Sequence, residues 1–201
     1  MRVGVLGGTF DPIHYAHLVI AEESRLRLQL DRVLFVPSGQ PPHKLAKVIT
    51  PAEHRLAMLQ LAIASNPHFE VSRVDMDRCG PCYSVDLLEI LQDRLKAGAE
   101  LYFIVGLDSL AELPTWHEPA RLIRLCRLAV VRRPGYHVDM VQLETILPGV
   151  VSRLEFVEAP EMGISSSEIQ RRVRAGLPIK YQLPEPVEAY IVEHGLYRTA
   201  S

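Results

Sequence analysis

Short apolar runs alternate with longer amphipathic stretches along this chain, and that alternation restricts its fold more than any other feature. Val3–Leu6, Val33–Val36, Phe69–Val74, Leu101–Val105, Leu128–Val131 and Leu154–Val157 are brief, rich in Val, Leu and Phe, and bounded by Gly, Pro or charge, so they read as strands. Several are apolar on both faces, as a buried parallel sheet requires. Helical patterns separate them: His14–Leu28, Ala52–Ala64, Ser84–Lys96, Pro119–Leu125 and Met140–Ile146, with Ser166–Arg174 and Pro186–His194 after the last strand. Thr50 as N-cap, Pro51 at the first helical position and Glu53 three residues beyond Thr50 spell a capping box. Strand–helix–strand repetition implies right-handed crossovers and an α/β, Rossmann-like, doubly wound, mostly parallel sheet. At 201 residues the chain fits one domain, 1–201, in which 163–201 forms a small C-terminal helical extension.

Composition removes several classes of function. Lys and Arg number 22 against 24 Asp and Glu, a net charge of −2, so no basic footprint points to nucleic acid. The apolar runs fall far short of the ~20 residues a membrane span needs. Met1–Leu6 leads straight into Gly7-Gly8 with no secretory leader pattern. Three cysteines, an odd number, argue against a disulfide scaffold and for a reducing cytoplasm. Oligomeric state is not written in the sequence.

Ligands of doubly wound sheets bind beyond the carboxyl ends of the strands, so the segments just after each strand matter most. After the first comes Gly7-Gly8-Thr9-Phe10-Asp11-Pro12-Ile13-His14-Tyr15-Ala16-His17. The glycine pair allows a sharp turn and close approach of a ligand to the main chain. The helix start beyond it offers N–H groups and a positive dipole to an anion. His14 and His17 share one helix face at a spacing of three. They read as donors to phosphate; the alternatives are a surface pair or half a metal site, and no third ligand stands nearby at zinc spacing.

The eleven-residue string resembles the Gly-Gly-Thr-Phe-Asp-Pro-Ile-His-x-Gly-His motif of the nucleotidyltransferase superfamily, in the form carried by the bacterial nicotinate-nucleotide adenylyltransferase family. Ala16 departs from the usual Gly and narrows the space where a nucleotide packs. Further matches follow the other strands: Pro41-Pro42-His43-Lys44; Gly80-Pro81-Cys82-Tyr83-Ser84-Val85-Asp86; Gly106-Leu107-Asp108; Pro114-Thr115-Trp116; and Ile164-Ser165-Ser166-Ser167. The resemblance implies adenylyl transfer from ATP, carried with Mg²⁺, to nicotinate mononucleotide, giving deamido-NAD and pyrophosphate. It implies that His14, His17 and Lys44 are catalytic. Gly7, Gly8, Thr9, Phe10, Gly106, Asp108, Ile164, Ser165 and Ser166 would join the histidines at ATP. Lys44, Tyr83, Ser84 and Trp116 would hold the mononucleotide, with main-chain N–H groups near Tyr83 receiving its carboxylate and Trp116 stacking on its ring. No protein-held metal is implied. Gln170 stands where the family carries Arg, which leaves the basic contact from that helix open, with Arg174 one turn on.

Three other readings stay open at this stage. A pantetheine-phosphate adenylyltransferase shares the superfamily motif, although the Pro-Pro-His-Lys and Pro-Thr-Trp elements argue against it. The departures at Ala16 and Gln170 admit a non-catalytic nucleotide-binding module. Cys79-Gly80-Pro81-Cys82 has the spacing and strand-to-helix setting of a thiol–disulfide oxidoreductase.

Overall fold

A computed structural model describes residues 1–39, 49–78, 80–95, 98–132 and 137–198. The strands β1 (Arg2–Gly8), β2 (Arg32–Pro37), β3 (Phe69–Val71), β4 (Glu100–Gly106), β5 (Arg127–Val131) and β6 (Leu154–Val157) form one sheet in the order β3-β2-β1-β4-β5-β6. Every neighbouring pair is parallel. The strand order reverses between β1 and β4, which opens a crevice beside the carboxyl end of β1.

The period-two alternation of the strands sends each residue to one of two cores. Leu34, Val36, Phe103, Val105, Leu128 and Val130 face one side, where they pack with α3 (Ser84–Arg94), α4 (Leu107–Glu112), α5 (Pro119–Leu125) and α6 (Met140–Ile146). Val33, Phe35, Tyr102, Ile104, Ala129 and Val131 face the other, beneath α1 (Tyr15–Arg27), α2 (Ala52–Ile63), α7 (Ser166–Arg174) and α8 (Glu185–Glu193). A sheet covered on both faces explains why the strands are apolar throughout rather than in alternation.

Three local expectations need correction. Gly7 and Gly8 do not turn; both lie inside β1, and the chain bends at Phe10, whose φ is 49°. Gly8 is required for closeness instead, because a Cβ there would meet the Phe10 ring at 2.9 Å. Pro51 is itself the N-cap of α2, with no side-chain cap, so the Thr50–Glu53 box does not form. Thr50 N–H turns instead to Asp11 Oδ2 at 3.1 Å, and Glu53 pairs with Arg73 at 3.0 Å. The third strand stops at Val71 rather than Val74, since Met76 and Asp77 N–H both close on the Arg73 carbonyl. Val74 is buried against the α3-side core without being in a strand, which is why its hydrophobicity mimicked strand continuation.

Candidate active site

Three adjoining cavities run along the carboxyl edge of the sheet. The first, about 340 Å³, lies between Ala16 and Ile20 of α1, Val131 and Arg132 at the end of β5, and Ala159–Ser165. The second, about 500 Å³, is lined by Gly7, Gly8, Thr9, His17, Gly106 and Asp108 among others, and shares Ile20 and Val131 with the first. The third, about 590 Å³, is bounded by Cys82–Ser84 and Thr115–Glu118. Cys82, Ser84, Ser109 and Trp116 line both it and the second cavity, so the three form one trough. Two chambers flank a middle lined by the Gly7–Thr9 segment, His17 and Asp108.

The residues expected from sequence divide by what they present to the trough. His17 reaches the central cavity, whereas His14 is 5 % exposed and stacked beneath it, ring centroids 3.7 Å apart. His14 is the N-cap of α1, and its backbone N–H donates to His17 Nδ1 at 3.3 Å. Phe10 is 2 % exposed and packs on Phe35 and the edge of His17, so its ring belongs to the core. Gly106 ends β4 where any side chain would collide with the Asp108 carboxylate. Ile164 and Ser165 line the first cavity. Ser165 caps α7 by accepting from Glu168 N–H at 3.2 Å, but the Glu168 carboxylate binds Arg171, so only half the capping box forms. The Ser166 hydroxyl donates to the Pro12 carbonyl at 2.9 Å, and Ser166 lines none of the three cavities. Tyr83 is the N-cap of α3 and stacks on His117 with centroids 4.2 Å apart. Trp116 stands edge-on to Phe103 at 6.1 Å and walls both the middle and the third cavity. Lys44 and His43 lie outside the described residues, and so does Cys79.

Several members of the site carried no signal that the sequence reading used. Asp75, 6 % exposed, lines the central cavity. Burial pushes its carboxyl above the ordinary aspartate range, opposed by Arg78 at 2.9 Å. The Asp75 carbonyl accepts the Cys82 thiol proton at 3.3 Å, tying the wall of the trough to the segment before α3. Under the first loop, Arg55 is 1 % exposed and donates to the carbonyls of Thr50 at 2.9 Å and Thr9 at 2.8 Å. Its burial lowers its pKa while the nearby Asp11 opposes that shift. Tyr197 donates to Asp11 Oδ1 at 2.7 Å, and burial first, with the Asp11 charge second, raises the phenol well above its ordinary value. A sequence signal did exist for Arg55: it occupies the same helical stripe as Met58, Leu59 and Ala62, all buried.

Among the described residues no group of three or more His, Cys, Asp or Glu is arranged to hold a metal ion, and no helix is long and apolar enough to cross a membrane.

The sequence profile of the cytidylyltransferase-like family matches residues 5–172. A Thermomicrobium roseum protein named "Probable nicotinate-nucleotide adenylyltransferase" is 54% identical over 198 residues, covering 98% of this chain and 92% of that one. A Roseiflexus sp. protein of the same name is 51% identical over 197 residues, covering 98% of each. Among solved structures, Plasmodium falciparum nicotinic acid mononucleotide adenylyltransferase superposes with TM-score 0.77 at 21% identity in its complex with NaAD, over 98% of this chain and 97% of that one. Its complex with APC gives TM-score 0.77 at 19% identity, over 98% and 96%. Both superpositions bear on the fold.

Proposed function

Because the chain belongs to the cytidylyltransferase-like family, and within it to the nicotinate-nucleotide adenylyltransferases, we propose that its trough brings ATP and nicotinate mononucleotide together for direct adenylyl transfer. The observation that carries this placement is the trough itself: His17 and the Gly7–Thr9 main chain stand between a chamber walled by Ala16, Ile20 and Ile164 and a chamber walled by Trp116. A dinucleotide product has the same layout, with a ring at each end and phosphates in the middle. Redox chemistry at the Cys79/Cys82 pair is not favoured, since relatives of this identity are named as adenylyltransferases.

Adenine enters the first chamber, where the Ala16 methyl forms part of the wall. The triphosphate crosses the middle against the Gly7–Thr9 segment at the carboxyl end of β1 and the N-terminal end of α1. Residues 163–201 act as an extension that supplies Ile164 and Ser165 to the same ligand. Pyridine packs on Trp116, and its carboxylate meets the N-terminal end of α3 at Tyr83 and Ser84. The helix dipole favours the acid there over the neutral amide. The phosphate oxygen of the mononucleotide attacks the α-phosphorus in line; the new P–O bond forms as the bond from α-phosphorus to the bridging oxygen breaks, and pyrophosphate leaves with that electron pair. No protein nucleophile is required, because the attacking phosphate is already anionic. The protein's work is positioning and charge stabilisation. Since His17 accepts a backbone N–H at Nδ1, its neutral ring carries the proton at Nε2, where it donates to a phosphate oxygen. His14 supports that ring, and Lys44 supplies a cation.

Mg²⁺ would be held chiefly by phosphate oxygens and water, with Asp108 as the carboxylate; Asp75, which also lines the central cavity, is paired with Arg78. When bound it neutralises charge on the leaving pyrophosphate. The reaction and this placement are consistent with a cytoplasmic enzyme of small-molecule metabolism. Pyrophosphate release from ATP, offered nicotinate mononucleotide, nicotinamide mononucleotide or phosphopantetheine in turn, tests the assignment. Strong release with the first alone is expected; preference for phosphopantetheine, or insulin reduction without adenylyl transfer, overturns it.

A further inference from the structure

The apolar spacing of the segment after β4 decides which of its side chains meet the trough. Leu107, Leu110 and Leu113 recur every three residues, are buried, and fill the core on the α3 side. Asp108, Ser109 and Glu112 fall between them and meet the trough in order. Asp108 lines the central cavity but not the third, Ser109 lines both, and Glu112 lines the third but not the central one. The start of α3 repeats this progression. Leu87 lines the central cavity, Ser84 lines both, and Tyr83 lines the third.

A mononucleotide has its parts in the same order: phosphate, sugar, ring. With its phosphate beside His17 and its pyridine beside Trp116, its ribose falls in the passage between the two cavities. The residues common to both are Cys82, Ser84, Ser109 and Trp116. The Cys82 thiol is already engaged by the Asp75 carbonyl at 3.3 Å, and Trp116 presents a ring. Ser109 differs from both. It is half-buried, its hydroxyl makes no hydrogen bond among the described residues, and its oxygen is not sealed away from solvent. A serine hydroxyl holds one donor and two acceptor positions. On a side chain one carbon long, at the passage between a phosphate site and a ring site, it suits a sugar hydroxyl, which can both give and take a hydrogen bond.

We propose that the Ser109 hydroxyl binds the ribose of nicotinate mononucleotide, so that the trough selects the sugar as well as the ring and the phosphate. This rests on the adenylyl-transfer reading above and adds a residue to it. A site that hydrogen-bonds a substrate hydroxyl rejects the analogue lacking it, because the protein group is then left unpaired. The test crosses Ser109→Ala with the 2′,3′-dideoxy analogue of nicotinate mononucleotide and reads kcat/KM for all four pairings. Wild type uses the analogue about tenfold less well or worse, since at least one well-made hydrogen bond is missing. In Ser109→Ala, kcat/KM for the natural substrate falls about tenfold, and the penalty for removing the sugar hydroxyls shrinks by the same factor. The KM for ATP stays within about twofold of wild type, and the unfolding temperature is unchanged. An equal penalty for the analogue in the two proteins overturns the inference. So does a rise in the ATP KM while kcat/KM for the mononucleotide stays at its wild-type value. A wild-type protein that releases no pyrophosphate from ATP with the natural mononucleotide overturns the adenylyl-transfer reading instead, so the two failures are distinguishable.

Discussion

The backbone N–H of His14 donates to Nδ1 of His17 at 3.3 Å, and the two imidazoles stack with their centroids 3.7 Å apart. One histidine thus fixes the neutral tautomer of the next with its proton on Nε2, the atom proposed to donate to phosphate. Loss of a preorganised donor at a developing phosphoryl charge costs about 10²–10³ in turnover. His17→Ala is expected to lose that much while unfolding at the wild-type temperature, and His14→Ala, which removes the buried ring stacked on His17, to lose turnover together with a lower unfolding temperature. His17→Gln keeps an acceptor for the His14 N–H and a donor beyond it, and retains more turnover than His17→Ala. Steady-state rates with a thermal melt of each variant decide this; equal rates for His17→Gln and His17→Ala would show that the tautomer argument fails.

Tyr197 links stability to alkaline pH. Its phenol is raised in the folded protein, whereas in the unfolded chain it ionises near its ordinary value of about 10. A group of that kind contributes its full stability below about pH 10 and loses it as the pH climbs toward the folded value. Cys126, pushed by burial to about 12, acts in the same direction from about pH 9 upward. In Tyr197→Phe the fall in the urea midpoint between pH 9 and 11 is expected to be shallower than in wild type. At pH 8 the variant is already less stable by about 1–2 kcal/mol, because Asp11 Oδ1 loses its donor. Identical alkaline slopes for the two proteins would count against the assignment.

Much of this architecture was legible in the sequence because short-range rules decide it. Strand positions follow from apolar runs, and Pro119–Leu125, Met140–Ile146 and Ser166–Arg174 match their expected bounds to the residue. The helix Leu107–Glu112 was not foreseen, since six residues directly after a strand give too few turns for a periodic signal. At the site, Gly7, Gly8, Thr9, Gly106 and Asp108 of the motifs line the cavity at the carboxyl ends of β1 and β4. What stayed hidden depends on contacts across long separations: Gln170 to Asp11, Tyr197 to Asp11, and Arg55 to Thr9. Gln170 drew notice only as a departure at a basic position, and its hydrogen bond to a main-chain carbonyl cannot be inferred without the loop it meets. Likewise Phe10 and Ser166 sit within the motif, yet one fills the core and the other anchors a turn.

Two cysteines should differ sharply toward an alkylating agent. Cys126 is 4 % exposed with its thiol raised to about 12, so neither access nor thiolate is present near neutral pH. Cys82 is half-buried at the junction of the central and Trp116 chambers. Iodoacetamide at pH 8 followed by peptide mass mapping is expected to label Cys82 and leave Cys126 intact, with nicotinate mononucleotide slowing the Cys82 reaction several-fold. Labelling of Cys126 should track global unfolding in urea. Protection of Cys82 by ATP but not by the mononucleotide would place the two substrates in the opposite chambers.

Trp116 gives the most direct test of which end of the trough holds the pyridine. Its indole is held edge-on by Phe103, 6.1 Å away at 79°, so its orientation is set before any ligand arrives. A pyridinium ring lying on an indole face gains roughly 0.5–2 kcal/mol, and more where water is excluded. Trp116→Ala is therefore expected to raise the KM for nicotinate mononucleotide about tenfold and to leave the KM for ATP within about twofold. Trp116→Phe keeps an aromatic face of smaller quadrupole and area, which places it between the two. On the proposed placement of the carboxylate at the α3 N-terminus, both variants lose affinity for nicotinate and nicotinamide mononucleotides by similar factors, so the ratio between acid and amide stays near its wild-type value. A rise in the ATP KM instead would assign Trp116 to the adenosine end and reverse the direction of the trough. A collapse of the acid-to-amide ratio in Trp116→Ala would mean that the indole, rather than the helix terminus, reads the carboxylate.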